Sequence, residues 1–447
     1  MLMDEQTEKL LDMAERLIEA GRRAGADSSD AAVVRSASRS VSVRLGAVEE
    51  TDSAESADVA LRVFVGKRSA TVSADASADV ERLAERAVAM ARVSPEDPFA
   101  GLADPALLAK DVPDLDLFDG TEPASDAMLA DALAMEEAAL AVSGVTNSNG
   151  AGVSAGWSGL LLATSTGFRG SQKRSGFSRS ASVIAGEGTR MQRDYDFDSR
   201  MHFADLNAPE AIGRAAGERA VRRLDPGKAP TGRYPVIFDP RMARGFIGHL
   251  LGAINGASIA RKTSFLKDAM GQMVLPAGVS ITDEPMLRHR PGSRPFDGEG
   301  LQGKAITLVE DGRLASWLLD SATARELGLE SNGRASRSAS SISPSSTNVI
   351  VSPGVMSPDE LIRDTHQGLY VTELIGHGAN IVTGDYSRGA SGFLIENGQI
   401  GAPVAEITIA GNLRDLFRSV TFANDGETRF SIVAPTLRLE SMTVAGR

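Results

Sequence analysis

Apolar residues recur along this chain with two periods, and the switches between them mark out its elements. Residues 5 to 24 place Leu10, Met13, Ala14, Leu17 and Ile18 at the i, i+3, i+4, i+7, i+8 spacing of an amphipathic helix that ends near Gly21 or Gly25. Period-two runs follow: Val41, Val43 and Leu45, then Val59, Leu61, Val63 and Val65 before a Gly66-Lys67 turn. Such alternation predicts antiparallel strands with one covered face. Val80, Leu83, Ala84, Ala87, Val88 and Ala91 restore the helical period. The same order then returns. Met128, Leu129, Ala132, Leu133, Met135 and Leu140 predict a helix, Leu160 to Leu162 and Phe177 to Val183 predict strands, and residues 207 to 224 predict a closing helix with Pro209 in its first turn. This repetition suggests an old duplication.

Punctuation divides the chain. Pro95, Pro98, Pro113 and Pro123 mark a linker over 94–124, and Asp225 to Gly232, with two prolines and two glycines, cannot continue a helix. The expectation is an α+β protein. Residues 1–225 form an N-terminal domain with helices on an antiparallel sheet, in two units (1–93 and 125–225) joined by the Pro-rich linker, and 232–447 form a β-rich domain of mostly antiparallel strands. Within the latter, Tyr234 to Phe238 predicts a strand and Pro240 to Ile254 a helix with Met242, Phe246, Ile247, Leu250, Leu251 and Ile254 on its apolar face. Gly245, Gly248 and Gly252 cost that helix about 1 kcal/mol each relative to Ala, which implies close packing against another surface. Short helices are expected at 321–327 and 357–364. Residues 331–347 are too polar to pack and are expected to form a long mobile loop. Asn397-Gly398 between two apolar runs predicts a tight hairpin, because its turn needs φ > 0. The segment leading into it, Asp385-Tyr386-Ser387-Arg388, is expected as a loop presenting four polar side chains.

Composition narrows the chemistry. The 447 residues are 42% hydrophobic and 24% charged, ordinary for two or three globular domains. No run approaches the ~20 apolar residues of a membrane span, and Met1-Leu2-Met3-Asp4-Glu5 is acidic where a secretion signal is basic, so a cytoplasmic location is expected. Zero cysteines exclude disulfides, thiolate nucleophiles and sulfur-ligated metals. A net charge of -12 and 5% aromatic content argue against direct nucleic-acid binding. Gly298 to Lys304 (GEGLQGK) matches part of a phosphate loop, but Ala305 replaces the required hydroxyl and a strand follows, so it reads as a turn. The five histidines, His202, His249, His289, His366 and His377, include no H-E-x-x-H pair. Glu373 and His377, with Asp364 and His366 nearby, lie in strand-like sequence and read as a solvated or hydrogen-bonded group.

The run GDYSRGASGFLIENG followed by PVAEITIAGN resembles the C-terminal signature of the TldD/PmbA family, closest to its PmbA (TldE) branch, historically labelled modulator of DNA gyrase. Phe296 to Gly300, Thr347-Asn348 ahead of Pro353-Gly354, Asn424-Asp425 and Met442 to Gly446 fit the same pattern. The resemblance covers most of 230–447. It implies that the helix bearing zinc ligands in TldD members, through an H-E-x-x-x-H motif and a late cysteine, corresponds here to Arg244 to Ser258. That segment keeps only His249. The expectation is therefore a non-catalytic, cofactor-free partner of a TldD-like zinc peptidase, paired as a heterodimer that degrades unfolded peptides or processes a precursor peptide, with zinc only in the partner. Asp385, Tyr386, Ser387 and Arg388 are the leading candidates for a substrate or partner surface, followed by Glu373, Asn348 and Asn424. The alternatives are a homodimeric protein-binding module without proteolytic role, and an independent hydrolase with an unrecognised site.

Overall fold

A computed structural model describes residues 5–338 and 341–446. The first helix, α1 (Glu5–Ala24), is followed by a meander of β1 (Ser28–Arg44), β2 (Ala47–Val65) and β3 (Arg68–Asp75) and by α2 (Val80–Val93). A second set repeats this order: α3 (Ser125–Leu140), β4 (Val145–Thr164), β5 (Arg169–Ala185), β6 (Gln192–Arg200) and α4 (Pro209–Arg222). Both sets share one antiparallel sheet in the order β3-β2-β1-β4-β5-β6, joined where β1 pairs β4. Alternation along the strands sends Ala31, Val33, Leu61 and Val63 under α1 and α2, and Val41, Val153, Ala181 and Val183 under α3 and α4. Leu45, expected in a strand, sits in the β1–β2 turn at φ 51. The buried Glu136 carboxylate holds that turn by accepting from Leu45 N and Gly46 N at 2.8 and 2.7 Å.

Beyond the boundary come β7 (Gly232–Phe238), α5 (Pro240–Ala253) and α6 (Gly256–Ala260). Next come β8 (Ile281–Asp283), β9 (Ile306–Glu310) and β10 (Arg313–Leu314), three strands of a five-stranded sheet that two later strands complete, with α7 (Ser321–Glu326) after them. Then come the two-stranded β11 (Ala335–Arg337) and β12 (Ile342–Pro344), β13 (Val349–Val351) and α8 (Pro358–Arg363). The chain finishes with β14 (Gln367–Ile375), β15 (Asp385–Glu396), β16 (Gln399–Asn412), α9 (Leu413–Arg418), β17 (Val420–Phe422), β18 (Ile432–Val433) and β19 (Leu437–Ala445). Strands pair in the order β16-β15-β14-β7-β19, and β16 also pairs β19, so these five close into a barrel with β17 attached outside. Only β14–β7 is parallel in it. Helices α5 and α9 bury Phe246, Ile247, Leu250, Leu416 and Phe417 in the same apolar cluster as the barrel residues Val236, Phe238, Val371, Ile407, Ile409 and Leu439. The hairpin turn expected at Asn397-Gly398 is present, at φ 52 and 73. No helix among the described residues is long and apolar enough to cross a membrane.

The linker is fastened rather than free. Arg325 of α7 donates to the carbonyls of Phe99, Leu102 and Gly101 at 2.8, 3.0 and 2.9 Å. The described part of 331–347 is likewise no mobile loop. Arg334 is fully buried, and all of its N–H vectors are directed at acceptors: Nε to Asp283 Oδ2 at 3.0 Å, Nη1 to Asn332 O at 2.7 Å, Nη2 to Lys304 O at 2.6 Å and to Asp283 O at 3.0 Å. Asp283 also accepts from Thr347 N at 2.9 Å and from the Thr347 hydroxyl. A polar sequence packs here because every polar atom of the pair is satisfied.

Replacing Arg334 by Ala would leave Asp283 buried without its counter-charge, at a cost of about 3–5 kcal/mol. Thermal unfolding followed by circular dichroism should show a Tm lowered by roughly 5 °C or more. A variant melting within about 1 °C of the parent would show that the pair does not hold this segment.

Candidate functional site

Helix α5 is the element on which the expected chemistry turns. Asp239 caps it, accepting from Arg241 N at 2.8 Å, and Pro240 occupies the first helical position. One face buries Ala243, Phe246, Ile247, Leu250 and Leu251 in the barrel core. The glycines do not seat a neighbour as their cost suggested. A methyl group built on Gly245 or Gly248 would meet no heavy atom within 4 Å, and on Gly252 only Ile381 Cδ1 at 4.0 Å. They leave a shallow trough along the helix in which backbone, rather than side chain, forms the floor.

His249 stands on the edge of this trough. Its ring meets Tyr386 of β15 edge to face, 5.8 Å between centroids. Burial, aided by the nearby Arg388 cation, pushes the imidazole below its ordinary value. Burial also drives the Tyr386 phenol up to about 12, partly offset by Arg388. One imidazole, one phenol that stays protonated and one guanidinium do not fit a catalytic zinc, which needs several neutral or anionic donors and a partner to activate water.

The seven residues expected to line a surface do not form one site. Asp385 to Arg388 open strand β15 rather than a loop, and strand alternation turns Tyr386 inward to 2% exposure while Asp385 and Ser387 face out. Asp385 accepts from Thr383 Oγ1 at 2.7 Å and Asn412 Nδ2 at 3.3 Å, which ties off the preceding turn. Arg388 donates to Leu374 O at 3.3 Å. Glu373, on β14, is ion-paired with Arg223 at the end of α4 and so bridges the two domains. Asn348 is fully buried, accepting from Gly292 N at 2.9 Å and donating to Glu284 O and Ser293 Oγ at 2.7 Å each, a structural role. Asn424 is exposed in a bend. Only Tyr386 and Arg388 come together with His249.

Two histidines that the sequence left unassigned meet at a three-way junction. His289 Nδ1 lies 3.0 Å from Asp116 of the linker and its Nε2 lies 2.6 Å from Asp205, while His202 Nε2 lies 3.3 Å from Asp116. Among the described residues these three, Asp116, His202 and His289, are the one group close enough to share a metal ion. The imidazole planes, however, stack at 3.9 Å and 14°, so a single ion cannot lie in the plane of both rings. The geometry suits protons better. Hydrogen bonds to Asp116 and Asp205 hold His289 above its ordinary value, and the bond to His289 holds Asp116 below the carboxylate range.

Models of the PmbA/TldA metallopeptidase family match three successive segments: domain 1 over residues 29–91, the central domain over 118–224 and the C-terminal domain over 231–446. The chain is 38% identical over 425 residues to metalloprotease PmbA of Escherichia coli O157:H7, covering 94% of this chain and 93% of that one. It is 36% identical to the metalloprotease PmbA homologue of Haemophilus influenzae, over 100% of this chain and 98% of the other. Among solved structures, a candidate DNA gyrase modulator from Bacteroides thetaiotaomicron superposes with a TM-score of 0.91 at 26% identity, covering 100% of both chains. TldE from Thermococcus kodakarensis shares the fold, with a TM-score of 0.85 at 22% identity over 97% of this chain and 100% of that one.

The junction sets a pH dependence. Because His289 is raised, its contribution is complete below the ordinary imidazole pKa and is lost as pH climbs through the folded value; because Asp116 is lowered, its share is lost only on acidification. His289→Gln should therefore lower Tm near about pH 5.5 and have little effect near about pH 9. Equal losses at the two pH values, measured by differential scanning fluorimetry, would show that no proton is involved.

Proposed function

This chain belongs to the PmbA/TldA metallopeptidase family, and we propose that within it the chain serves as the non-catalytic, cytoplasmic partner of a TldD-like zinc peptidase. The observation that carries this reading is the set of side chains where α5 meets β15: His249 with Tyr386 and Arg388, where zinc hydrolysis needs a cluster of metal ligands and a carboxylate base. Zinc would belong to the partner, and the substrate would be an unfolded or precursor peptide.

Two features suit a subunit that helps to hold an extended chain. Backbone exposed along the glycine trough lets a peptide approach a helix without steric exclusion. The outer part of β2, residues 47–56, pairs only with β1, since the ladder with β3 stops at Asp58 and Ala57 O accepts from Ala76 N. Its other edge offers unpaired backbone groups, which accept a strand from a partner or peptide without reading sequence, and its acidic side chains Glu49, Glu50, Asp52 and Glu55 discourage self-association.

Mixed at micromolar concentration with a TldD homologue, the purified chain should co-elute from a sizing column and yield peptidase activity that neither protein shows alone. Gly248→Phe, which adds a ring where nothing stands in the way, should leave the complex intact and cut its peptidase activity roughly tenfold or more, the effect of ~1.4 kcal/mol of lost binding. Failure to associate, with a homodimer recovered instead, would favour the protein-binding role without proteolysis. Stoichiometric zinc in the isolated chain would defeat both.

A further inference from the structure

A cavity of about 370 Å³ lies at the seam between the two domains, with β4 and β5 on one side and the segments around Gly292, β11 and Ser345 to Thr347 on the other. Three guanidinium groups line it, those of Arg174, Arg294 and Arg337, and none of its lining residues is Asp or Glu. Arg174 donates only to carbonyls, Pro291 O at 3.3 Å and Ser293 O at 2.6 Å. Arg294 does the same, to Ala335 O and Ser345 O at 3.0 Å each. Asp297 acts on Arg294 through space, but its oxygens accept from Glu299 N, Leu301 N and Ala335 N at 2.8, 3.0 and 3.0 Å. Arg337 has Asp30 at 2.8 Å, and Asp30 is shared with Arg62.

Unmet hydrogen-bonding capacity concentrates on the same wall. Arg294 Nε and Gln172 Oε1 are buried and have no hydrogen-bond partner, and Arg290, next to the lining Pro291, leaves Nε and Nη2 unmatched as well. The amide of Gln172 can turn its N–H₂ toward the cavity without moving the chain. Burial pushes Arg174 below its ordinary value and Arg294 down to about 10, the latter offset only in part by the charges of Asp297 and Asp283. Cations placed so at a stable seam are costly unless something negative joins them.

We propose that this cavity is an oxyanion-binding site, taking a carboxylate or phosphate group between Arg174, Arg294 and Arg337, with Gln172 as a further donor. Guanidinium forks match the paired oxygens of such groups, and a water-poor wall strengthens each bond. The site lies apart from α5 and does not depend on the peptidase-partner reading. An anion seated there would bridge β5 to the C-terminal domain and tighten the seam.

Isothermal titration of the full chain with inorganic phosphate, and separately with a short peptide as its free acid and as its C-terminal amide, tests the proposal. Binding with a Kd of about 0.1–1 mM is expected for at least one oxyanion. Phosphate binding without acid-peptide binding assigns a free phosphate; binding of the free acid but not the amide assigns a chain terminus. Arg174→Gln should weaken binding about tenfold. Because Arg174 also ties the domains together, Ser346→Asp provides a second variant: it sets a competing carboxylate in the wall and should abolish binding with Tm unchanged or raised. No binding of any of the three ligands at about 10 mM, or binding undiminished in both variants, overturns the proposal.

Discussion

The most deeply buried tie between the two domains is a network of charges. Asp30 of β1, 1% exposed, faces Arg62 of β2 at 2.5 Å and Arg337 of the C-terminal domain at 2.8 Å, and Arg62 in turn lies 3.8 Å from Glu299. Stripping water from four such groups is expensive, and the expense is met only while all of them are present. The turn that carries Glu299 is built for this contact. A side chain at Gly298 would come within 2.9 Å of the Arg337 backbone, and Gly300, at φ +87, would press on the Phe168 ring at 2.7 Å. Phe296 from the same turn packs edge-on against Phe168 at 5.0 Å, closing an apolar plug around the ions.

That network explains what could and could not be read from the amino-acid order. Local periodicity carried α1, α2, α4 and α5, and turn chemistry carried the Asn397-Gly398 hairpin, because each depends on residues within a turn or two of one another. The segment 331–347 was misjudged because its polarity is answered by Asp283, some fifty positions earlier, and by backbone carbonyls that no local pattern reveals. Tyr386 was misplaced for a simpler reason. Asp385 to Arg388 continue the strand, so alternate side chains point opposite ways, and the most hydrophobic of the four goes inside. His202 and His289 lie far apart along the chain, and only the fold stacks them against each other and against Asp116 of the linker.

Helix α5 separates what the fold requires from what it presents. Its cap, its apolar face and its packing against Phe417 and Phe238 are what any helix in this barrel requires. The outward face carries glycines and a lone imidazole beside a cation, an environment that repels a divalent ion.

The closure of the barrel through β19 has a consequence for how the molecule is made. Val236 in β7 waits for Leu369 on one side and Leu439 on the other, whereas β1 finds β2 almost as soon as it is synthesised. The amino-terminal meander can thus mature early, while β7 and α5 emerge with raw edges and a greasy flank long before their neighbours exist. The already finished first domain, offering its seam as a template, is the natural surface on which the second one assembles.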